Sequence, residues 1–107
     1  VLTAPAAPIE KVTGGQDFST AYKAAFNVDV GLYSVEAFDS ANAILDAIKN
    51  GATTRTAIND YLGTKTDWKG LSKEMKFDSN GELSGTVTVY AYQVQSGKIV
   101  GLKAITG

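Results

Sequence analysis

The stretch from Ser34 to Asn50 constrains the fold of this chain more than any other. Phe38, Ala41, Leu45 and Ile48 recur at three- and four-residue intervals, and Val35, Ala37, Ile44 and Ala47 widen the stripe. This is the helical period, and an apolar arc so broad must be covered on more than one side. Ser34 is expected to cap the helix, Glu36 sits in the first turn where the helix dipole favours an anion, and Lys49 sits near the other end. Gly51 is the expected stop.

Two further helices flank it. Phe18, Tyr22, Ala25 and Phe26 make one apolar stripe, and Asn27 is suited to a left-handed stop. A shorter helix is expected from about Thr54 to Leu62, capped by Thr53 or Thr54 and stopped by Gly63. Before them, residues 4–16 hold Pro5, Pro8 and the pair Gly14-Gly15. Proline removes a backbone donor and biases its predecessor toward extended geometry, so this segment reads as a loop crossing between elements. Val1-Leu2-Thr3 reads as the last residues of a strand belonging to something larger.

From Trp68, itself expected in a loop, the period changes to two. Glu74 to Asp78 is a short strand, and Asp78-Ser79-Asn80-Gly81 is a turn in which Gly81 can supply positive φ. Thr86 to Gln95 is a stronger strand, with Val87, Val89, Ala91 and Gln93 on one face and Thr88, Tyr90, Tyr92 and Val94 on the other. Gln95-Ser96-Gly97-Lys98 turns a hairpin back through Ile99, Val100 and Leu102. The fold class is α/β: three helices, then a short strand and an antiparallel hairpin.

Composition narrows the chemistry. At 107 residues the chain suffices for one small domain, and its 44% hydrophobic and 20% charged residues are globular. Ten basic against eleven acidic residues, with no run of one sign, leave no footprint for nucleic acid. Without cysteine there is no disulfide or thiolate metal site, and without histidine there is no Ser-His-Asp triad or histidine metal cluster. No apolar run approaches a membrane span, and Val1 to Pro5 has neither the basic region nor the apolar core of a signal peptide.

The remaining candidates each have a plain reading. Asp39 and Asp46 lie seven apart on one helix, about 10 Å along its axis, too wide for a carboxylate pair in hydrolysis, so both read as solvated helix charges. Asp78 to Glu82 has Gly at the fourth position and Val89 at the twelfth, which is not a calcium loop. Gly14-Gly15 opens a helix whose first amides suit an anion, but without the preceding strand and lysine of a P-loop it reads as a flexible helix start. No catalytic residue, metal ligand or cofactor is expected. Tyr90, Tyr92 and Trp68 read as cover for a sheet. Tyr33 immediately precedes the capped helix. Its ring either projects beyond the helix end or packs back as a staple, and the residues alone leave both open.

In chain order these segments resemble the C-terminal part of an extracellular solute-binding protein of the branched-chain amino-acid type. Pro5-Ala6-Ala7-Pro8 is similar to that family's passage from second lobe to first, and Gly15-Gln16-Asp17-Phe18 through Phe26 to its next helix. Tyr33-Ser34-Val35-Glu36-Ala37-Phe38-Asp39 is similar to its "YS-x-EAYD" helix start, with Phe38 in place of a tyrosine. Lys69-Gly70-Leu71 through Gly85-Thr86 resembles its strand and turn before the last crossing, and Val87 to Val94 and Lys98 to Leu102 resemble its closing strands.

The resemblance implies a non-enzymatic protein. Two lobes of a type I periplasmic-binding fold close on an amino acid or related solute and deliver it to an ABC transporter permease. Residues 1–14 would be the crossing loop, 15–84 part of the first lobe and 85–107 the closing strands of the second. Tyr33 would line the ligand cleft. The rest of the protein would precede Val1, exported behind a signal peptide and membrane-tethered outside the cell or in the periplasm. The isolated chain would be a homo-oligomer, because its helices present apolar faces that an absent sheet would otherwise cover. The alternative reading is a stand-alone oligomeric interaction domain with no small ligand.

Overall fold

A computed structural model describes residues 1–84 and 87–105. The elements run β1 (Leu2–Ala4), α1 (Gly15–Phe26), α2 (Ser34–Lys49), α3 (Arg55–Thr64), β2 (Trp68–Lys69), β3 (Glu74–Met75), β4 (Val89–Gln95) and β5 (Lys98–Ile105), with a 3-10 turn at Ile9–Lys11. They form two compact units: Val1–Val35 with Thr86–Gly107, and Glu36–Gly85.

The first unit is built on an antiparallel sheet in the order β1-β4-β5, with Thr3 opposite Ala91 and Gln95 opposite Lys98. Ser96 and Gly97 join β4 to β5 with φ of 50° and 76°, the doubly left-handed two-residue loop whose twist suits a hairpin. Pairing shifts register between Ala91 and Tyr92, so that Leu102 is the extra residue of a bulge.

The predicted alternation along this strand fails at that point, because adjacent Ala91 and Tyr92 are both buried. Tyr92 donates its hydroxyl proton to the main-chain oxygen of Ala6, itself fully enclosed. Thr86, the predicted first residue of the strand, lies outside the described residues, and regular pairing begins at Val89. Gly101 is required where it stands, since a Cβ there would fall on the Pro8 ring.

Helix α1 ends as predicted, with Asn27 left-handed at φ 55° and its N–H bonded to the Lys23 carbonyl. The ring centroids of Phe18 and Tyr22 are 5.9 Å apart, and those of Tyr22 and Phe26 are 4.8 Å apart. This ladder stays largely at the surface, and Gly15 is the one buried residue of the helix.

The second unit holds most of α2, then α3 and two short pairings. Gly51, at φ 93°, ends α2 in a Schellman motif: Gly51 N donates to Ile48 O at 3.0 Å and Ala52 N to Ala47 O at 3.0 Å, over two buried alanines. Thr54 caps α3 through Oγ1, which accepts from Ala57 N at 3.1 Å. The helix does not stop at Gly63 as predicted. It runs to Thr64, whose hydroxyl bonds back to Asp60 O and Tyr61 O, and a side chain at Gly63 would meet open space.

Trp68, predicted in a loop, begins β2 and pairs with Met75. Strand β3 is correspondingly shorter than the predicted 74–78, and Phe77 makes an isolated bridge to Leu83. Between those two residues the predicted turn forms. Asp78 Oδ1 accepts from Asn80 N and Glu82 N, Gly81 N donates to Asp78 O, and Gly81 has φ 80°.

Helix α2 buries a face other than the one its large residues define. Val35, Asp39, Ala43 and Ala47, each four residues from the last, are buried, whereas Phe38, Ile44, Leu45 and Ile48 are exposed.

Candidate functional site

The sequence singles out the head of α2, where the backbone is unusual. Ser34 is not the cap. It lies inside the first turn, and its Oγ faces backward to accept from Gly31 N at 3.0 Å, while Ser34 N donates to Gly31 O at 3.2 Å. This tight reversal throws the cap position onto Tyr33, which takes φ 68°. A left-handed conformation costs an L-residue with a bulky side chain about 1–2 kcal/mol, which glycine would avoid. The Tyr33 side chain nevertheless remains 47% exposed.

The other aromatics and the glycine pair play structural parts. Tyr92 is committed to Ala6, Tyr90 is half-buried on β4, and Trp68 is held in β2. Gly14 begins α1 at φ 78° without a side-chain cap. The Gly15 amide, offered above to an anion, donates instead to Val12 O at 2.9 Å.

The two aspartates of α2 depart from their expected roles. Asp39, predicted to be solvated, is 1% exposed. Its Oδ1 accepts from Leu71 N at 2.7 Å, and its Oδ2 accepts from Ser72 N at 2.7 Å and Ser72 Oγ at 2.5 Å. A buried carboxylate persists only when such donors replace water. Gly70 admits it, since a Cβ there would collide with the carboxylate.

Asp46 is half-buried and accepts the Tyr61 hydroxyl at 2.7 Å. This bond, then desolvation, then the charge of Asp46 raise the Tyr61 pKa above the ordinary phenol value. Lys65, 5.6 Å from the ring centroid, is raised first by its hydrogen bond to Tyr61. The sequence held no direct signal for the Asp39 clamp, because its partners, two main-chain amides and the Ser72 hydroxyl, lie more than thirty residues away.

One open groove of about 650 Å³ lies within the second unit, between Asn59 and Leu62 of α3 and the turn from Phe77 to Gly81. The turn at Asp78 to Gly81, expected from the sequence only as a turn, forms one wall of it. Among the described residues no three acidic, histidine or cysteine side chains form a metal-binding group, and no helix is long and apolar enough to cross a membrane.

These elements make up a segment of the type I periplasmic-binding fold, as the order of helices and strands led us to expect. The chain is similar to the branched-chain amino acid transporter substrate binding protein LivJ from Streptococcus pneumoniae str. Canada MDR_19A, a crystal structure in complex with isoleucine. The TM-score is 0.78 at 23% identity, over 96% of this chain and 29% of that one. The chain therefore spans less than a third of that protein's length. No family model matches the sequence, and no curated protein does.

Proposed function

We propose that this chain is the C-terminal part of the substrate-binding component of an ABC transporter, a protein that holds an amino acid or related small solute between two lobes without acting on it as an enzyme. The observation that carries this reading is the fold likeness at TM-score 0.78 along 96% of the chain. The order of segments from Pro5 to Leu102 supports it independently. In this reading residues 1–14 cross between lobes, 15–84 contribute to the first and 85–107 close the second. The whole protein is exported behind a signal peptide, tethered outside the cell or in the periplasm, and passes its solute to a permease.

Tyr33 is the residue we assign to the ligand. An aromatic ring kept half exposed on a left-handed backbone is costly as mere packing, and such outliers concentrate where a side chain must be aimed. In the full-length protein, Tyr33→Ala is expected to weaken solute binding about tenfold, roughly 1.4 kcal/mol, with little change in melting temperature. Calorimetric titration against an amino-acid panel, beside thermal melting, tests this. Unchanged affinity with a melting point several degrees lower would assign the ring to packing.

A second reading, an oligomeric interaction domain with no small ligand, is favoured by the exposed apolar face of α2 and the aromatic ladder of α1. Micromolar binding of an amino acid by the full-length protein would remove it.

A further inference from the structure

The chain contains two Asn-Gly pairs, Asn50-Gly51 and Asn80-Gly81, and the structure treats them oppositely. We propose that Asn80 is a site of spontaneous deamidation and that Asn50 is protected from the same reaction by its place in the fold.

The chemistry requires only water. The main-chain nitrogen of the following glycine loses its proton to solvent base and attacks the Asn Cγ. The new N–Cγ bond closes a cyclic imide, the Cγ–Nδ2 bond breaks, and the nitrogen leaves as ammonia after taking a proton from solvent. Water then adds to either imide carbonyl and the ring opens to aspartate or isoaspartate, with no change of oxidation state. Glycine favours the attack because no side chain hinders its nitrogen. Two conditions remain: the carboxamide must be free to turn, and the glycine N–H must be released from its hydrogen bond.

Asn50 fails on both counts. Its Nδ2 donates to Asp46 O at 2.8 Å, which holds the carboxamide along the helix end. The Gly51 N–H is bonded to Ile48 O, and the neighbouring Ala52 N–H to Ala47 O. Ala47 and Ala52 are buried, so freeing Gly51 means unwinding the end of α2.

Asn80 meets both more readily. Its carboxamide makes no hydrogen bond among the described residues, and every residue from Asp78 to Glu82 is exposed. The Gly81 N–H donates to Asp78 O at 3.0 Å, but that bond belongs to a surface turn held by Asp78 and followed by a single bridge at Phe77 and Leu83. Turns of this kind open at far lower cost than a capped helix end. Conversion would add a negative charge beside Asp78, on the rim of the groove that Asn59 and Leu62 also line.

The test is incubation of the chain at mildly alkaline pH, followed by digestion and mass spectrometry of the peptides bearing each asparagine. Short unfolded peptides spanning each pair serve as references. The folded chain is expected to convert Asn80 at a substantial fraction of its peptide's rate, while Asn50 lags its own peptide by at least about tenfold, as expected for a site that reacts only on opening. Asp78→Ala, which removes the acceptor for Asn80 N and Glu82 N, should bring Asn80 closer to the peptide rate and leave Asn50 unchanged. Equal protection of the two asparagines, faster conversion at Asn50, or an Asn80 rate indifferent to Asp78→Ala would each overturn the proposal.

Discussion

Helix α2 has two faces that differ in what the rest of the chain does with them. One carries Val35, Asp39, Ala43 and Ala47, small or polar side chains that are all buried. The other carries Phe38, Ile44, Leu45 and Ile48, the large hydrophobes, and all are exposed, Leu45 to 59%. Simple hydrophobic sorting predicts the reverse. Small residues let neighbouring backbone approach closely, and on the Asp39 side the approach is close enough for the loop at Gly70 to Ser72 to surrender its amides to a carboxylate. The large residues need a partner with an apolar surface of its own. Their exposure leaves an apolar helix face that the described residues do not cover.

The largest expected effect breaks the closed face. Asp39→Ala removes the acceptor for two main-chain amides and one hydroxyl, leaving half-buried donors without partners. A loss of about 3 kcal/mol or more is expected, well above the scale of an ordinary surface substitution. Urea denaturation should show it as a lowered midpoint with an unchanged slope. A midpoint within experimental error of the parent would mean that the carboxylate is no more than an occupant of the site and that water can replace it.

Legibility from sequence follows the same division. Features set by a residue and its immediate neighbours were readable. These include the left-handed stop at Asn27, the glycine stop at Gly51, the Ser96-Gly97 hairpin and the Asp78–Gly81 turn, because each depends on local backbone chemistry. The segment order gave the fold.

Features that depend on distant chain were not readable. Asp39 looks like any helix aspartate until the loop after β2 arrives, and Tyr92 looks like one face of an alternating strand until the bulge at Leu102 intervenes. Ser34 satisfies every rule for a cap, yet the turn from Gly31 moves that position back by one residue and strains Tyr33. At Gly63 the stop signal was simply too weak, and the helix ran on.

An intermediate effect is expected on the open face, and it separates stability from association. Leu45→Ser and Ile48→Ser each remove exposed apolar surface that the chain itself does not cover. Their effect on unfolding free energy of the dissociated chain should stay within about 0.5 kcal/mol. If a second copy of the isolated chain covers this face, light scattering should show the average mass falling toward that of the monomer, with the double substitution more effective than either alone. A parent chain already monomeric at high concentration would show that the exposed hydrophobes do not by themselves drive assembly.

The smallest effect lies where Asp46 meets Tyr61. The folded-state pKa of Tyr61 is raised, chiefly because its proton is hydrogen-bonded to Asp46 Oδ2, so the folded chain holds that proton where the unfolded chain has released it. With more protons bound in the folded state, stability falls as pH rises. The contribution is fully present below the unfolded phenol value of about 10 and fades as pH climbs through the higher folded value. Lys65, raised first by its hydrogen bond to Tyr61, acts in the same sense over the same range. Both groups are solvent-accessible, which keeps the effect small and sensitive to salt. Thermal melts from pH 8 to pH 11, at low ionic strength, should therefore fall less steeply for Tyr61→Phe than for the parent, with the two curves converging at the alkaline end. A parent curve as flat as that of Tyr61→Phe would show that Asp46 does not hold the phenol proton, leaving Asp39 as the one aspartate of α2 bound into the fold.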